Sequence, residues 1–366
     1  MAKNSNLHNA KTAKNDEFYT QYEDIEAEMN AYIEYDKDVF RGKTVLCPCD
    51  DPEWSNFTKY FAANFERLGL KKFISTSYAQ SSSSAKVSLW EEESEQYDAE
   101  KHEKCGRLFI LDEDTNGSGR IDKDDLKWSY LSGNGDFRSE EVTALRDEAD
   151  FIITNPPFSL FREFIAWVMA GNKKFAVIGN MNAITYKEVF PLIRDNKIWV
   201  GTKSFGGGMD MIYPENDFDE TKVKNYKKDS HGNYLINVMG VIWFSNVEHG
   251  IRHEKLSCMS MSDNLRYNKK LIKKLNADYG MSEYPKYDNY DAIEVPFSDA
   301  IPSDYEGVMG VPITFLDKYN PEQFEISGIM TGAKGAGLTN GSDGRLKFYV
   351  EGNGVYARIL IKKKGR

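Results

Sequence analysis

The stretch Asp150-Phe151-Ile152-Ile153-Thr154-Asn155-Pro156-Pro157-Phe158 decides how this chain is interpreted. Its first five residues are a short apolar run of the length typical of a buried strand. Two prolines then stop the strand, because proline has no N–H group and a fixed φ. An amphipathic helix follows, with apolar positions at Leu160, Phe161, Phe164, Ile165 and Val168. The pattern predicts a strand, a rigid turn and a helix, with Asn155 just beyond the strand.

The residue types in this turn suit an exocyclic amine that has to act as a nucleophile. The lone pair of such an amine is delocalised into the base ring, and two hydrogen-bond acceptors on its N–H groups make the nitrogen more tetrahedral. The Asn155 side-chain oxygen and the Pro156 carbonyl can be these acceptors, and Phe158 can stack on an extruded base. Catalysis is then mainly orientation and electrostatic placement. A rigid turn without chemistry is the alternative interpretation of the same four residues.

Length and composition place the chain among globular proteins of one large and one smaller domain, since it has 366 residues and 40% hydrophobic residues. Its four cysteines suggest neither a disulfide framework nor a zinc site, because Cys47 and Cys49 are separated by a single residue and have no accompanying cluster. A reducing compartment is therefore expected. The polar N-terminus and the lack of a long apolar run predict a soluble, cytoplasmic protein with no membrane association.

The charge is distributed unevenly along the chain. The net charge of −10 argues against nucleic acid, but residues 91–150 alone hold 19 acidic and 8 basic residues. Residues 331–366 hold 8 basic and 2 acidic residues. Phosphate binding depends on local positive surface rather than on the total. Nucleic acid therefore remains a possible partner, although each basic cluster could also be an ordinary solvated surface.

Alternating strand and helix patterns predict a doubly wound α/β sheet in residues 1–260. Residues 80–130 are serine-rich, then acidic, then turn-rich, and are predicted to be an insertion. The remaining elements expected in this region are helices over 16–37, Phe57–Leu68 and Glu140–Ala149, strands at Thr44–Cys47, Lys72–Ser77, Arg107–Leu111 and Phe175–Gly179, and an antiparallel pair formed by Val238–Phe244 and Ile251–Cys258.

From residue 261 the amino-acid composition changes: the sequence is first rich in Pro, Tyr and Asp and then contains glycine-rich turns. Strands are expected at Lys347–Val350 and Val355–Ile361. Residues 261–366 are therefore predicted to form a smaller β-containing domain with a basic end.

The turns at the carboxyl ends of these strands carry candidate cofactor residues, because open α/β sheets bind ligands there. After the first strand, Asp50 suits an α-amino group, and Ser55 or Asn56 could cap the next helix. Upstream of the Asn155 turn, Asp136 can accept from an adenine amino group with the aromatic Phe137 beside the ring. The glycine-rich turn usual in nucleotide-binding folds is missing. An acidic loop and a polar turn are the alternative interpretations.

Residues Asp114–Asp125 match the twelve-residue EF-hand loop in their acceptor positions and in the central glycine. The match predicts a possible Ca²⁺ site. The strand expected just before the loop, and aspartate rather than glutamate at the last position, favour a polar turn instead. No other metal site is expected.

Taken together, several segments resemble one family, the EcoRI-type adenine-specific DNA methyltransferases. The resemblance covers most of the chain and is weakest at 80–130 and 207–235. It is carried by Asp16–Gln21, Cys49–Pro52, Ser55–Phe57, Gly135–Ser139, Thr154–Glu163, Ile178–Glu188, Trp243–Asn246 and Pro312–Pro321.

The resemblance implies methyl transfer from S-adenosyl-L-methionine to N6 of an adenine flipped out of double-stranded DNA. It implies a class I, Rossmann-like methyltransferase sheet followed by a target-recognition region. Carried over residue by residue, the catalytic candidates are Asn155, Pro156 and Phe158. The cofactor-side candidates are Tyr19, Thr20, Cys49, Asp50, Asn56, Phe57, Asp136 and Phe137. The substrate-side candidates are Pro157, Arg266, Lys269, Arg345 and Arg358.

Several alternatives stay open at this point. The Asn-Pro-Pro-aromatic turn also serves enzymes that methylate RNA adenine or protein glutamine, and a non-catalytic DNA- or calcium-binding module is a third hypothesis. The resemblance suggests a restriction-modification role with a cognate endonuclease, and a monomer is expected. The second strand ends in Ser75-Thr76-Ser77, with no acidic residue for the cofactor ribose. The DNA recognition sequence cannot be inferred from these patterns, because phosphate contacts carry no sequence information.

Overall fold

The computed structural model describes residues 19–50, 55–79, 97–213, 218, 223, 225–331, 341–342 and 347–365. Of the positions named above, 16–18, 51–52, 80–96 and Arg345 lie outside the described residues. By compactness the chain divides into two units, Met1–Met181 with Lys203–Val247 and Asn182–Thr202 with Glu248–Arg366. The predicted boundary after residue 260 is a division by function, and it stays a prediction.

The described elements confirm the mixed α/β class. The helices are α1 (Tyr22–Tyr35), α2 (Asn56–Ala63), α3 (Phe65–Leu68), α4 (Ala99–Lys104), α5 (Glu140–Glu148), α6 (Phe161–Ala170), α7 (Phe190–Arg194), α8 (Met261–Tyr267) and α9 (Lys269–Tyr279). The strands are β1 (Tyr19–Thr20), β2 (Thr44–Cys47), β3 (Lys72–Ser77), β4 (Arg107–Leu111), β5 (Lys127–Tyr130), β6 (Phe151–Thr154), β7 (Lys174–Asn180), β8 (Trp199–Val200), β9 (Met209–Tyr213), β10 (Tyr226–Lys228), β11 (Tyr234–Val238), β12 (Val241–Ser245), β13 (Lys286–Tyr287), β14 (Tyr290–Glu294), β15 (Met309–Pro312), β16 (Phe324–Met330), β17 (Tyr349–Val350), β18 (Asn353–Gly354) and β19 (Arg358–Lys363). Single 3₁₀ turns occur at Lys123–Asp125, Phe158–Leu160, Met181–Thr185, Gly250–His253, Ser298–Ala300 and Ile313–Lys318.

The main sheet of the first unit has a parallel centre. Its strands lie in the order β5-β4-β3-β2-β6-β7-β12. Strands β3, β2, β6 and β7 run parallel, whereas β4, β5 and β12 are antiparallel to their neighbours. All residues of β2 and β6 are buried, which explains their continuous apolar sequences. The chain leaves β2 towards β3 on one side and later returns to β6 on the other, so the winding direction reverses between β2 and β6.

The helices that flank these strands begin where their sequences predict. Ser55 caps α2 by accepting from the Phe57 N–H at 3.1 Å, and Ser139 caps α5 by accepting from Val142 at 3.2 Å. Helix α6 buries Phe161, Phe164 and Val168, which are spaced on one face.

The helix predicted over Phe57–Leu68 is two helices in the structure. The break lies at Asn64, whose side-chain amide donates to the Tyr60 carbonyl at 2.8 Å and competes with the helical pattern.

The described part of the predicted insertion, residues 97–130, extends the main sheet. Strand β4 pairs with β3, with Phe73 opposite Leu111, and β5 pairs with β4. A second sheet of the same unit has the order β1-β9-β11-β10 and brings Tyr19 and Thr20 opposite Ile212 and Met211. The N-terminal strand is thereby held beside the main sheet of its own unit.

The predicted antiparallel pair of Val238–Phe244 and Ile251–Cys258 is wrong. The chain reverses at Gly240, whose φ is +76°, and β12 then pairs with β7, with Trp243 opposite Ile178. Residues 250–253 form a 3₁₀ turn. The backbone of Leu256 instead bonds the side chain of Gln323, with both distances at 2.8 Å. The side-chain amide of Gln323 thus satisfies backbone hydrogen-bonding groups of this segment, and a sequence pattern cannot reveal such a contact.

The second unit contains a five-stranded sheet in the order β13-β14-β15-β19-β16. The predicted strands near 347–350 and 355–361 correspond to β17 and β19, which begin two and three residues later. The rings of Tyr287 and Phe348 stack at 4.2 Å over this sheet. None of the helices in the described ranges has the length and apolarity required to span a lipid bilayer.

Candidate active site

A cavity of about 230 Å³ opens in the first unit at the carboxyl ends of β2, β3 and β6. This edge is where the winding of the sheet reverses, and such a switch point leaves a crevice between the diverging connections. All eight cofactor-side candidates named from the sequence line the cavity, and so do Asn155 and Pro157. Residues scattered from position 19 to position 157 thus meet at one place.

Asp50 lies at the centre of the first turn of this cavity and is 5% exposed. Its Oδ1 accepts from the Ser55 hydroxyl at 2.7 Å, and its Oδ2 accepts from the Thr154 hydroxyl at 2.5 Å. Its backbone carbonyl accepts from the Ser75 hydroxyl at 2.9 Å. The carboxylate therefore joins the start of α2 to the end of β6. Hydroxyl groups position this turn, in place of the glycine-rich turn that the sequence lacks.

The N-terminal strand forms a second wall of the cavity. The Asn56 side chain donates to the Thr20 carbonyl at 2.8 Å, so the start of α2 holds β1 in place. Thr20 is 2% exposed, and among the described residues its hydroxyl has no hydrogen-bond partner. A buried hydroxyl that lines a cavity in this condition has the capacity to donate to or accept from a ligand.

The turn that carries Asp136 is pressed against the end of β3. Gly135 has φ +81°, and a Cβ atom there would lie 2.2 Å from the Ser77 carbonyl oxygen. A Cβ atom on Gly106 would lie 2.5 Å from the same oxygen. Only glycine fits both positions, because the close contacts are with backbone atoms.

Asp136 is paired with Arg138 inside the cavity lining. The two guanidinium nitrogens Nε and Nη2 donate to the two carboxylate oxygens at 2.9 and 2.6 Å. The hydrogen bond from Arg138 holds the pKa of Asp136 below its usual range. Asp136 is therefore a charged acceptor in the cavity, as expected for a group that binds an amine.

Two aromatic cofactor candidates are mainly core residues. Phe137 is 4% exposed and packs edge-on against Phe164 at 5.0 Å between centroids. Phe57 is 1% exposed and packs edge-on against Trp243 at 5.9 Å. They support the cavity wall from behind, and Tyr19 and the half-buried Cys49 complete the set predicted from the sequence.

The Asn155 turn has the predicted form. Asn155 and Pro157 line the cavity, Pro156 is buried, and a 3₁₀ turn over Phe158–Leu160 leads into α6. Phe158 is half-buried and packs against the main hydrophobic core of the unit instead of lining the cavity. Its predicted contact with a base stays a prediction.

The sequence interpretation missed several residues of the cavity, chiefly Ser77, Tyr78, Arg138 and Leu160. Ser77 is the last residue of β3 and Tyr78 follows it, at the place where the sequence has no acidic residue for the ribose. Tyr78 is half exposed, and its hydroxyl accepts from the Asn134 side chain at 3.2 Å. The sequence indicates these residues only by their position at the end of β3, since any residue there reaches the edge of the sheet that forms the cavity.

The basic substrate candidates lie in the second unit. Arg266 and Lys269 are exposed on α8 and α9. Arg358 is different: its guanidinium forms a pair with the fully buried Glu294, with Nη2 to Oε1 at 2.6 Å and an exposed side-chain fraction of 11%. Tyr287 donates to the same carboxylate. The geometry assigns Arg358 a structural ion pair, which its sequence context did not reveal.

The loop Asp114–Asp125, which matches the EF-hand pattern, is a turn in which the carboxylates of Asp114 and Asp125 accept hydrogen bonds from the backbone. The Asp114 carboxylate accepts from the backbone of Gly117 and Gly119, each at 2.7 Å, and Asp125 accepts from the backbone of Thr115 at 2.8 Å. Strand β4 precedes the loop and β5 follows it, where an EF-hand has helices. Within the described residues no cluster of three or more potential metal ligands is found. The polar-turn interpretation is favoured.

The cavity residues fit the cofactor that the sequence resemblance implies. S-adenosyl-L-methionine carries an ammonium group and an adenine amine, which donate hydrogen bonds and require acceptors, and the cavity offers Asp50, Asp136 and the hydroxyl of Thr20. Its adenosine also needs an apolar wall, which Tyr19, Phe57 and Phe137 help to form.

Comparison with known proteins shows the family to which the chain belongs. The family model described as adenine-specific methyltransferase EcoRI matches residues 6–364. The chain is 42% identical to the type II methyltransferase M.EcoRI of Escherichia coli over 99% of this chain and 98% of that protein. It is 33% identical to the type II methyltransferase M.MgeORF184P of Mycoplasma genitalium, over 97% and 98% of the two chains. It is 30% identical to the type II methyltransferase M.MpnI of Mycoplasma pneumoniae, over 97% of each.

No solved structure matches the chain significantly. The relatives cover the chain almost from end to end, and the resemblance and the enzyme class expected from the sequence, an adenine-specific DNA methyltransferase, are confirmed. The chain belongs to the EcoRI family of adenine-specific methyltransferases.

Proposed function

We propose that this adenine-specific methyltransferase transfers a methyl group from S-adenosyl-L-methionine to N6 of an adenine flipped out of double-stranded DNA. The observation that carries the proposal is that Asn155 and all eight cofactor-side candidates line one cavity at the switch point of the sheet. The names of the relatives, all type II methyltransferases, support a place in restriction-modification.

The Asn155 turn acts on the amine of the extruded base. The Asn155 side-chain oxygen and the Pro156 carbonyl accept from the two N–H groups, which favours a tetrahedral nitrogen. No strong general base is required, because the methylated ammonium is acidic and loses its proton readily. The two prolines hold this geometry before the base arrives, so little ordering is needed at the moment of reaction.

The opposite side of the cavity holds the cofactor. When bound, S-adenosyl-L-methionine supplies an electrophilic methyl group. Asp50 accepts from its ammonium group, Asp136 accepts from its adenine amine, and the Thr20 hydroxyl bonds a polar group of the ligand. Ser77 ends β3 and Tyr78 follows it at the same edge, and we assign them to the ribose, for which the end of β3 offers no acidic residue.

The fold supports the same assignment. Four parallel strands with an antiparallel strand beside β7 are consistent with a class I, Rossmann-like methyltransferase sheet. We propose that residues 1–260 carry catalysis and that residues 261–366 recognise the target. Arg266 and Lys269 are exposed and suit phosphate or base contacts. Arg345 keeps its role as a sequence-based prediction, while Arg358 is better explained by its pair with Glu294.

The test of the activity is the substitution Asn155→Ala. We expect methyl transfer to DNA to be lost while S-adenosylhomocysteine still binds, because Asn155 acts on the base. Ser159→Ala is the matched control, since Ser159 is an exposed residue of the same turn outside the cavity lining. Methylation at the wild-type rate by Asn155→Ala would refute the assignment.

The substrate class is tested by incubating the wild-type protein with labelled S-adenosyl-L-methionine and DNA, RNA or protein in parallel. Label is expected in DNA alone, and label in RNA or protein would favour the alternatives. Methylation-aware sequencing of DNA from cells that express the protein would reveal the recognition sequence. A cognate endonuclease acting on that sequence, a monomeric state and a cytoplasmic location stay predictions.

A further inference from the structure

The residue that directly precedes Asn155 is tied to the cofactor side of the cavity. Thr154 is the last residue of β6 and is 0% exposed. Its hydroxyl donates to Oδ2 of Asp50 at 2.5 Å, across 104 positions of sequence. The other oxygen of the same carboxylate accepts from the Ser55 hydroxyl at 2.7 Å.

This contact is stronger than a typical side-chain hydrogen bond for two physical reasons. A hydrogen bond to an ionised carboxylate is shorter and about twice as strong as a neutral one. It is also buried, and a low local dielectric strengthens it further. The carboxylate has few ways to move, because Ser55 caps α2 and the Asp50 carbonyl is held by Ser75.

We propose that Thr154 is a positioning residue for methyl transfer: its bond to Asp50 sets the place of Asn155 relative to the bound cofactor. The inference rests on the proposed function, in which Asn155 contacts the base and Asp50 lines the cofactor site. A turn held only by its own prolines would be rigid, yet it could sit at a range of distances from the cofactor. The Thr154 hydroxyl removes that freedom, since Asn155 is the next residue along the chain.

The decisive variant is Thr154→Val, which keeps the branched shape and removes the donor. Asp50 remains bonded to Ser55, so we expect the dissociation constant for S-adenosylhomocysteine to change by less than about threefold. The rate of methyl transfer should fall by about tenfold or more, because a small displacement of a reacting group has a large effect on rate. Thr154→Ser keeps a hydroxyl at the same position and should recover most of the rate.

Ser245→Ala is the matched control. Ser245 is 0% exposed, and its hydroxyl donates to the Phe175 carbonyl at 2.9 Å, but it does not line the cavity. The substitution removes an equally buried hydroxyl from the same unit. We expect its melting temperature to fall as in Thr154→Val, while the transfer rate stays close to that of the wild type.

The rate is measured in a single turnover on unmethylated bacterial genomic DNA, with enzyme in excess and S-adenosyl-L-methionine saturating. This design separates the chemical step from product release, which limits turnover in many enzymes. Binding of S-adenosylhomocysteine is measured by calorimetry on the same proteins.

A second readout does not depend on DNA. Hydrogen exchange of a peptide covering residues 155–163 is followed with and without S-adenosylhomocysteine. In the wild type and in Thr154→Ser, cofactor binding should slow exchange in this turn, because the Asp50 bond transmits the ordering. In Thr154→Val the slowing should be lost although the ligand still binds.

The inference is overturned by an unchanged transfer rate in Thr154→Val, by an equal loss in Ser245→Ala, or by Thr154→Ser behaving like the valine variant. Protection of residues 155–163 that persists in Thr154→Val overturns it as well. If the wild type methylates no DNA, the proposed function fails, and the exchange measurement still decides whether Thr154 couples the two sides of the cavity.

Discussion

Gly135→Ala is the most direct probe of how the cavity is built. The new Cβ atom would lie 2.2 Å from the Ser77 carbonyl oxygen and 3.1 Å from the Ser77 carbonyl carbon. These are backbone atoms of the last residue of β3, so no side chain can rotate away. The residue also has φ +81°, which an alanine adopts with strain.

The magnitude follows from two contributions. A left-handed conformation costs a non-glycine residue about 1–2 kcal/mol. Overpacking costs about 1–3 kcal/mol more, so the total is roughly 2–5 kcal/mol. For a unit of this size the melting temperature would fall by about 10 °C, at roughly 2–4 °C per kcal/mol.

The clash also predicts a functional effect. To reach an ordinary contact of 3.4 Å, the turn has to move by about 1.2 Å from its 2.2 Å approach. Asp136 is the next residue and moves with it, so the hydrogen bond that we propose between Asp136 and the cofactor amine should weaken. A bond to a charged acceptor contributes about 1.5–3 kcal/mol, and affinity for S-adenosylhomocysteine should fall by about tenfold or more.

The assay pairs thermal melting with calorimetry, and Gly232→Ala is the control. Gly232 has φ +88° and nothing within 4 Å of its Cβ position, so it has the strain without the clash. The control should melt about 2–8 °C lower, from about 1–2 kcal/mol of strain, with unchanged affinity. Equal affinities for Gly135→Ala and Gly232→Ala would refute the reasoning, because the position of Asp136 would then not depend on this contact.

Three further predictions concern other charged groups of the structure. Arg358→Ala should destabilise the protein by about 3–5 kcal/mol, because it leaves the buried carboxylate of Glu294 unpaired. Lys269→Ala, at an exposed site, should leave the melting temperature unchanged and reduce the salt dependence of DNA binding. Similar melting of the two variants in thermal unfolding would contradict this contrast. Arg138→Ala should raise the pKa of Asp136 towards its ordinary value, so this variant should lose cofactor binding at a higher pH as the solution is acidified. In the wild type the lowered pKa keeps the Asp136 carboxylate charged, and binding should persist to lower pH. Calorimetry across the acid range measures this, and superimposable acid limbs would disprove it. Millimolar Ca²⁺ should leave the melting temperature unchanged, because the carboxylates of the Asp114–Asp125 loop already accept backbone N–H groups, and a rise with Ca²⁺ but not with Mg²⁺ would show the opposite.

Much of the central sheet was predictable from local sequence. Strands β2 and β3 have the predicted bounds, whereas β6 begins one residue later than predicted and β7 extends one residue further at each end. Buried parallel strands are continuous apolar runs, and prolines and caps mark their ends, so each signal lies within a few residues. The pairing of β12 was not predictable in this way, because a partner strand roughly 60 residues earlier leaves no mark on the apolar run Val241–Ser245.

The residues of the candidate site also divide into those that local sequence predicts and those that it does not. Asn155, Asp50 and Asp136 were identifiable because each follows a short motif, and all three line the cavity. The ion pair of Arg358 with the buried Glu294 was not predictable, since a basic residue in a basic segment carries no sign of such a partner. Tyr78 and Arg138 were missed, since nothing in their neighbours distinguishes them from other surface residues.

The sequence by itself determined the family, the class of reaction and the residue types at the ends of the strands. Those properties can be identified from contiguous segments, since a motif consists of residues that are neighbours in the chain. Only the tertiary structure decided which groups face each other, as when Thr154 meets Asp50 and Arg138 meets Asp136. The physical reason is that hydrogen bonds and ion pairs depend on distances of a few ångströms, which the packing of remote segments sets. The turn at Asn155-Pro156-Pro157-Phe158 is a local feature, whereas the position from which Asn155 acts is a property of the folded sheet.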